Sequence, residues 1–342
     1  MSRLLIATAL LTCSVVSAQD TKQFVLAANR AGVVELLDPR SLQTISRIHI
    51  DLPPKSVGLN GVSANADGSI IYVEGPTADN ARSCCSLYSI DLTTLRMNRA
   101  APIAGGGLDL RGRSNNRLRL SPDGHWLFGV KNFRGPELDV YDLVQGSTAR
   151  QLIPTGLEDD WFASGTWSGN HYYFYASKHD GSSARLWMVS PSTTDLGEGV
   201  SVDPVAQAAG CPPHSFAFEE IAAAGNNLLV YEAFGFIMDR RAECSGLIQG
   251  GAWLIDSSNG HMLQHVAPDL YFSALIPDRE EPVLYGLSSG GPNWEFPVKL
   301  VRIDARDGQI LQTRTLDTDY WTISIAPLRL APSGDVQVIQ DR

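Results

Sequence analysis

The 342-residue sequence contains no Walker A loop and no C-x-x-C-H haem site, so nucleotide and c-type haem chemistry have no motif behind them. Basic residues are few: 27 Lys and Arg stand against 37 Asp and Glu, and the formal net charge is −10. No Lys/Arg-rich run is present, which argues against a nucleic-acid partner, because phosphate-backbone binding needs clustered cations. No later apolar stretch reaches the roughly 18 residues that a membrane-spanning helix requires. Cysteines number five, and no His-x-His pair offers metal-ligand spacing.

The apolar residues that are present begin with a leader. Arg3 supplies a short positive segment, Leu4 to Leu11 an apolar one, and Val16-Ser17-Ala18 a small-residue cleavage pattern. Residues 1–18 therefore read as a secretory signal peptide, with the mature chain starting at Gln19 in the periplasm or outside the cell. Leu10-Leu11-Thr12-Cys13 offers a lipoprotein alternative, although Thr12 stands where Gly, Ala or Ser is usual.

From residue 19 to 342 one pattern returns about every 50 residues, which is the mark of a propeller or array. An apolar strand ("FVLAANR", "IIYVEG", "WLFGVK", "YYFYAS", "LLVYEAF", "VLYGLS") is followed by a second strand that ends near Asp38, Asp91, Asp142, Asp256 or Asp304, with Ser190 in the fourth set. A polar turn and a third strand complete the set. Those acids are expected to accept N–H groups of the turn that follows, a structural task. A further strand with its own tight turn ("NADGS", "SPDGH", "PDREE") precedes most sets, giving four antiparallel strands per blade. The expected fold is thus all-β, a single propeller domain over 19–342. The literal count is six blades, with a seventh formed partly by "VQVIQ" as the alternative, and the C-terminal strand completes the N-terminal blade.

The strands and turns in "FVLAANRAGVVELLDPRSLQTISRIHI" resemble YVTN-type propellers of exported bacterial proteins. "DLYFSALIPDREEPVLYGL" and "YWTISIAPLRL" look most like the propeller subunit of quinohemoprotein amine dehydrogenase and the methylamine dehydrogenase heavy chain. The resemblance implies a non-catalytic propeller that seats a redox-active partner subunit. Those relatives have seven blades, so a count of six departs from them.

In such a fold, residues just ahead of each innermost strand ring one mouth of the central channel. Three aromatic clusters fall there: Trp161 with Phe162, Tyr271 with Phe272, and Tyr320 with Trp321. Asn60, Arg117 after Asn116, and His214 occupy the same level, and the long insertions carrying Trp294 and the cysteines open on that face. The aromatics either pack between blades or form a recognition surface for a partner subunit or small ligand. A polar ring at a channel mouth could hold Ca²⁺ or another hard cation, but no clustered ligand spacing supports one, so no metal or cofactor is expected. His214 is the weak candidate for acid–base work. The motifs leave open whether the protein is an enzyme: the alternative to a binding module is a metal-assisted, lactonase-like hydrolase or lyase at the channel mouth.

After loss of Cys13 with the leader, Cys84, Cys85, Cys211 and Cys244 remain, an even number that suits an oxidising compartment. Cys211 and Cys244 fall on one face of the fifth blade and form the favoured pair, leaving Cys84 and Cys85 as a vicinal disulfide. Free thiols or another pairing are the alternatives.

Overall fold

A computed structural model describes residues 22–53, 56, 58–59, 61–77, 80–102, 117–131, 135–144, 150–154, 157, 161–168, 170–178, 183–203, 221–224, 228–232, 250–278, 280–289, 297–317, 320–329 and 331–340. The leader lies outside them.

The strands form a ring of sheets. The first blade holds β1 (Lys22–Asn29), β2 (Val33–Leu37) and β3 (Thr44–His49). Next come β4 (Gly61–Ala64), β5 (Ile70–Thr77), β6 (Asn80–Asp91) and β7 (Arg96–Pro102), then β8 (Arg117–Leu120), β9 (Trp126–Lys131), β10 (Glu137–Asp142) and β11 (Arg150–Leu152). The chain continues through β12 (Trp161–Ser168), β13 (His171–Lys178), β14 (Ala184–Val189) and β15 (Val200–Val202). The following blade holds β16 (Ile221–Ala224), β17 (Leu228–Glu232), β18 (Ala252–Asp256) and β19 (Met262–Val266). The last complete set is β20 (Tyr271–Pro277), β21 (Val283–Ser289), β22 (Lys299–Asp304) and β23 (Ile310–Thr315), and β24 (Tyr320–Leu328), β25 (Gly334–Gln337) and β26 (Ile339–Gln340) end the chain. Among the described residues these make six sheets, four of four strands and two of five.

Closure is direct. β24 lies antiparallel against β1, with Val25 opposite Ile325, and so becomes the innermost strand of the first blade. The innermost strands then touch in a circle: β24 against β4, β4 against β8, β8 against β12, β12 against β16, β16 against β20, and β20 against β24. A ring closed in this way leaves no free inner edge.

"VQVIQ" does not start a seventh blade. With β24 already filling the inner position, the chain has no place left in the ring. It runs outward instead, and β25 pairs parallel with β3 while β26 pairs parallel with β7.

Apolar runs and strand position agree. β1 is buried from Phe24 to Asn29, whereas β23 is exposed along nearly its whole length. Inner strands are covered by neighbours on both faces, so they carry continuous apolar runs; outer strands alternate or turn polar. Between blades sit apolar clusters, such as Phe128, Trp167, Tyr172 and Phe174 between the third and fourth.

The repeated acids behave as turn formers. Asp38 Oδ1 accepts N–H groups of Arg40 (3.1 Å) and Ser41 (2.9 Å), and Asp91 Oδ1 those of Thr93 and Thr94 (both 2.8 Å). Val144, Ser258 and Arg306 donate in the same way to Asp142, Asp256 and Asp304, at 3.0, 2.9 and 2.9 Å. Where Ser190 replaces the acid, its own N–H donates to Thr193 Oγ1 at 3.0 Å. Gly68 shows why one turn needs glycine: at φ +68° a Cβ would lie 2.5 Å from the Leu328 Cα, where the second blade's turn meets the end of β24.

Candidate functional site

The disc has two unlike faces. Each chain segment enters its innermost strand from one face, and β12, β20 and β24 begin at Trp161, Tyr271 and Tyr320, so the aromatic clusters do stand at that mouth. Their side chains turn sideways. Trp161 is 4% exposed, Phe272 0% and Tyr320 5%, each within an apolar cluster between blades. These three are packing residues and not an open recognition surface, because side chains of an innermost strand alternate between the two neighbouring sheets. Lys178 Nζ lies 5.8 Å from the Trp161 ring centroid. Tyr271 alone among the described cluster side chains is half-buried, and its N–H donates to Ser288 Oγ at 3.2 Å.

The backbones of Phe162, Trp321 and Arg117 are in strands, but their side chains lie outside the described residues. So do Asn60, Trp294, His214, Cys211 and Cys244 entirely, and the side chains of Cys84 and Cys85. The two adjacent cysteines lie on β6 beside a register shift, with Cys84 opposite Pro76 and Ser86 opposite Gly75. Among the described residues no group of three or more His, Cys, Asp or Glu is placed to hold a metal ion, and no helix is long and apolar enough to cross a membrane.

Glu74 is a residue that sequence reading passed over. It lies opposite Gly61, the first residue of β4, and hence near the mouth, and it is 0% exposed. Burial holds its carboxyl well above the ordinary carboxylate range, in the neutral form. The only sequence signal was an acid inside the apolar run "IIYVEG". Sequence reading counted G-x-S-x-G as absent and gave serine hydrolysis no motif, yet Gly286-Leu287-Ser288-Ser289-Gly290 spells it. Residues 286–289 lie in the extended strand β21 and Ser288 is 0% exposed, so no nucleophile elbow forms there.

The opposite face carries the tight turns and a cavity of about 340 Å³ at the seam between the first blade and the last. Lys22, Gln23, Asp38, Pro39 and Arg40 line one side, and Asp278, Glu280, Glu281 and Tyr285 the other. Lining charges pair with one another, Lys22 with Asp38 at 3.4 Å and Arg40 with Glu281 at 3.3 Å, and Arg302, outside the lining, also reaches Glu281 at 2.6 Å. The Tyr285 hydroxyl bridges Asp278 Oδ2 (3.0 Å) and the Pro39 carbonyl (3.1 Å), and desolvation, helped by the Asp278 charge, raises its pKa. The cavity's lining presents no histidine or thiol. Sequence reading missed it because its walls come from turns some 240 positions apart.

Three of the described histidines are held by packing or pairing. His125 Nε2 lies 3.1 Å from Asp142 and its ring stacks on Trp126; His265 stacks on Trp253 with centroids 4.0 Å apart; His261 Nδ1 lies 3.0 Å from Asp203.

No protein-family model matches the chain, and no curated protein matches it in sequence. Among solved structures it is similar to TolB from Acinetobacter baumannii, with a TM-score of 0.56 and 12% identity, over 89% of this chain and 66% of that one. The chain thus spans just under two thirds of that protein's length. The likeness is one of fold, that of a β-propeller, and nothing in these comparisons carries the finer resemblance to amine dehydrogenase propellers.

Proposed function

We propose that the protein is an exported, non-catalytic binding propeller whose partner docks on the face carrying the channel mouth and the long loops. One observation supports this reading above others: the chemically useful side chains that repeat around the ring are committed to building it. The repeated acids cap turns and the described aromatics fill the seams between blades. What distinguishes the two faces is the length of their loops, and elaborated loops on a rigid scaffold are where binding residues concentrate. The occupant is a protein subunit or small ligand; a redox-active subunit, as in amine dehydrogenases, is the finer version. Residues 1–18 direct export, and Cys211–Cys244 staples the longest insertion.

Native mass spectrometry of the protein purified from the envelope of its own host tests this, with parallel samples treated with chelator or mild reductant. A stoichiometric partner mass is the expected result. A bare monomer that loses one metal ion and a hydrolytic activity on chelation would overturn the proposal and make His214 the first residue to replace.

A further inference from the structure

The last residues of the chain are not needed to close the ring, since β24 has already done so. They nevertheless add a strand to the outer edge of two successive blades. Gly334, Asp335, Val336 and Gln337 lie parallel against Ser46, Arg47, Ile48 and His49, and Ile339 and Gln340 against Arg96 and Met97. Between them the Val338 N–H donates to the His49 carbonyl and the Ile339 N–H to the Leu95 carbonyl, both at 2.9 Å. These two ladders are the parallel ones among the described strand pairs.

The attachment is slight. Val338 is the anchor, 4% exposed in the cluster with Ile48, Leu92 and Met97, while Gly334, Asp335, Gln337 and Ile339 are exposed. Asp335 faces Arg47 and His49 at 4.0 and 3.9 Å, distances at which partly exposed pairs add little. Upstream, Gly334 has φ +73° with nothing within 4 Å of a notional Cβ, a swivel point in open space, and Pro332 stiffens the lead-in. The segment is therefore a short strand held by edge hydrogen bonds, the buried Val338 and the half-buried Val336 packed on the same cluster, joined to the disc by a hinge.

We propose that the outer edges of the first two blades form a strand-accepting surface, and that its partner is the C-terminal segment of a second copy of this chain, exchanged for the resident one. The fit needs no new chemistry, because the same residues would make the same contacts from a neighbouring molecule. Selection of this segment rests on the two parallel ladders and the Val338 site, since Arg47 is already paired with the buried Glu35 at 2.7 Å. This inference does not depend on the binding role proposed for the other face.

The test uses the full chain carrying His49→Cys and Gln337→Cys, positions that face each other across the β3–β25 ladder. The protein is oxidised after incubation at rising concentrations. Exchange predicts a covalent dimer whose share grows with concentration. Intramolecular cross-links alone, at every concentration, would rule out the second copy as partner. A complementary measurement uses full-length Val338→Asp, whose own segment cannot dock, with a labelled peptide of residues 332–342 as probe. Saturable binding, lost when the peptide carries the same substitution, is expected. No binding to a chain that retains its β-sheet circular dichroism would overturn the accepting surface.

Discussion

At the scale of single residues, the acids divide into two groups with opposite responses to pH. Asp304 is held down to about 2, first by the Arg306 guanidinium and then by the Arg306 N–H. Its folded pKa lies below the unfolded one, so its contribution is present above the ordinary carboxylate range and disappears as pH falls from about 4 to about 2. Asp304→Asn is expected to melt earlier than the parent at pH 7, with the difference narrowing towards pH 2. Glu74 is the reverse case: its raised folded pKa costs stability as pH climbs past the ordinary carboxylate range, where only the unfolded chain gives up its proton. Glu74→Gln should leave stability at pH 4 nearly unchanged and raise it at pH 8, as read by denaturant midpoints. A loss at pH 8 would show that the ionised form has a task. The turn acids were legible in the sequence because an Asx turn is local. Glu74 was not, since its burial is decided by Gly61 and Leu87, residues on two other strands.

At the scale of elements, the first residues of the innermost strands were legible in position but not in orientation. Asp-aromatic clusters marked where β12, β20 and β24 begin; whether each ring faces the mouth or a neighbouring blade depends on which side of the strand it occupies. Because Trp161 and Phe272 fill seams, Trp161→Ala and Phe272→Ala should each cost about 3–5 kcal/mol of stability, the range for large core truncations. Urea unfolding of the two variants checks this, and a cost near zero would return those rings to the surface. The cavity formed by the turns after β2 and β20 makes a softer prediction. Arg40→Ala, in an exposed pair, should change stability by no more than about 1 kcal/mol.

At the scale of the whole molecule, the ring depends on its ends. A chain stopped before β24 leaves β1 and the inner faces of β4 and β20 uncovered, so it should unfold without a cooperative transition. A chain stopped at Pro332 keeps the closing strand and should retain one. Thermal melts of the two truncations separate the closing strand from the outer strap. Export is tested at the same scale: the mature protein should begin at Gln19 by N-terminal sequencing, and non-reducing peptide mapping should recover Cys211 joined to Cys244.

The sequence by itself determined what is periodic and local: four-strand units, Asx turns at Asp38, Asp91, Asp142, Asp256 and Asp304, and an orphan C-terminal strand able to complete the first blade. Each follows from a pattern within a few residues or from a unit that cannot bury its faces alone. Only the tertiary structure decided that Trp161, Phe272 and Tyr320 are core, that Glu74 is buried, that residues 22–40 and 278–285 enclose a charged cavity, and that "VQVIQ" straps two outer edges. The physical reason is common to all four. Burial and pairing at a seam are set by residues from a different blade, and no local pattern records which face of a strand meets which neighbour.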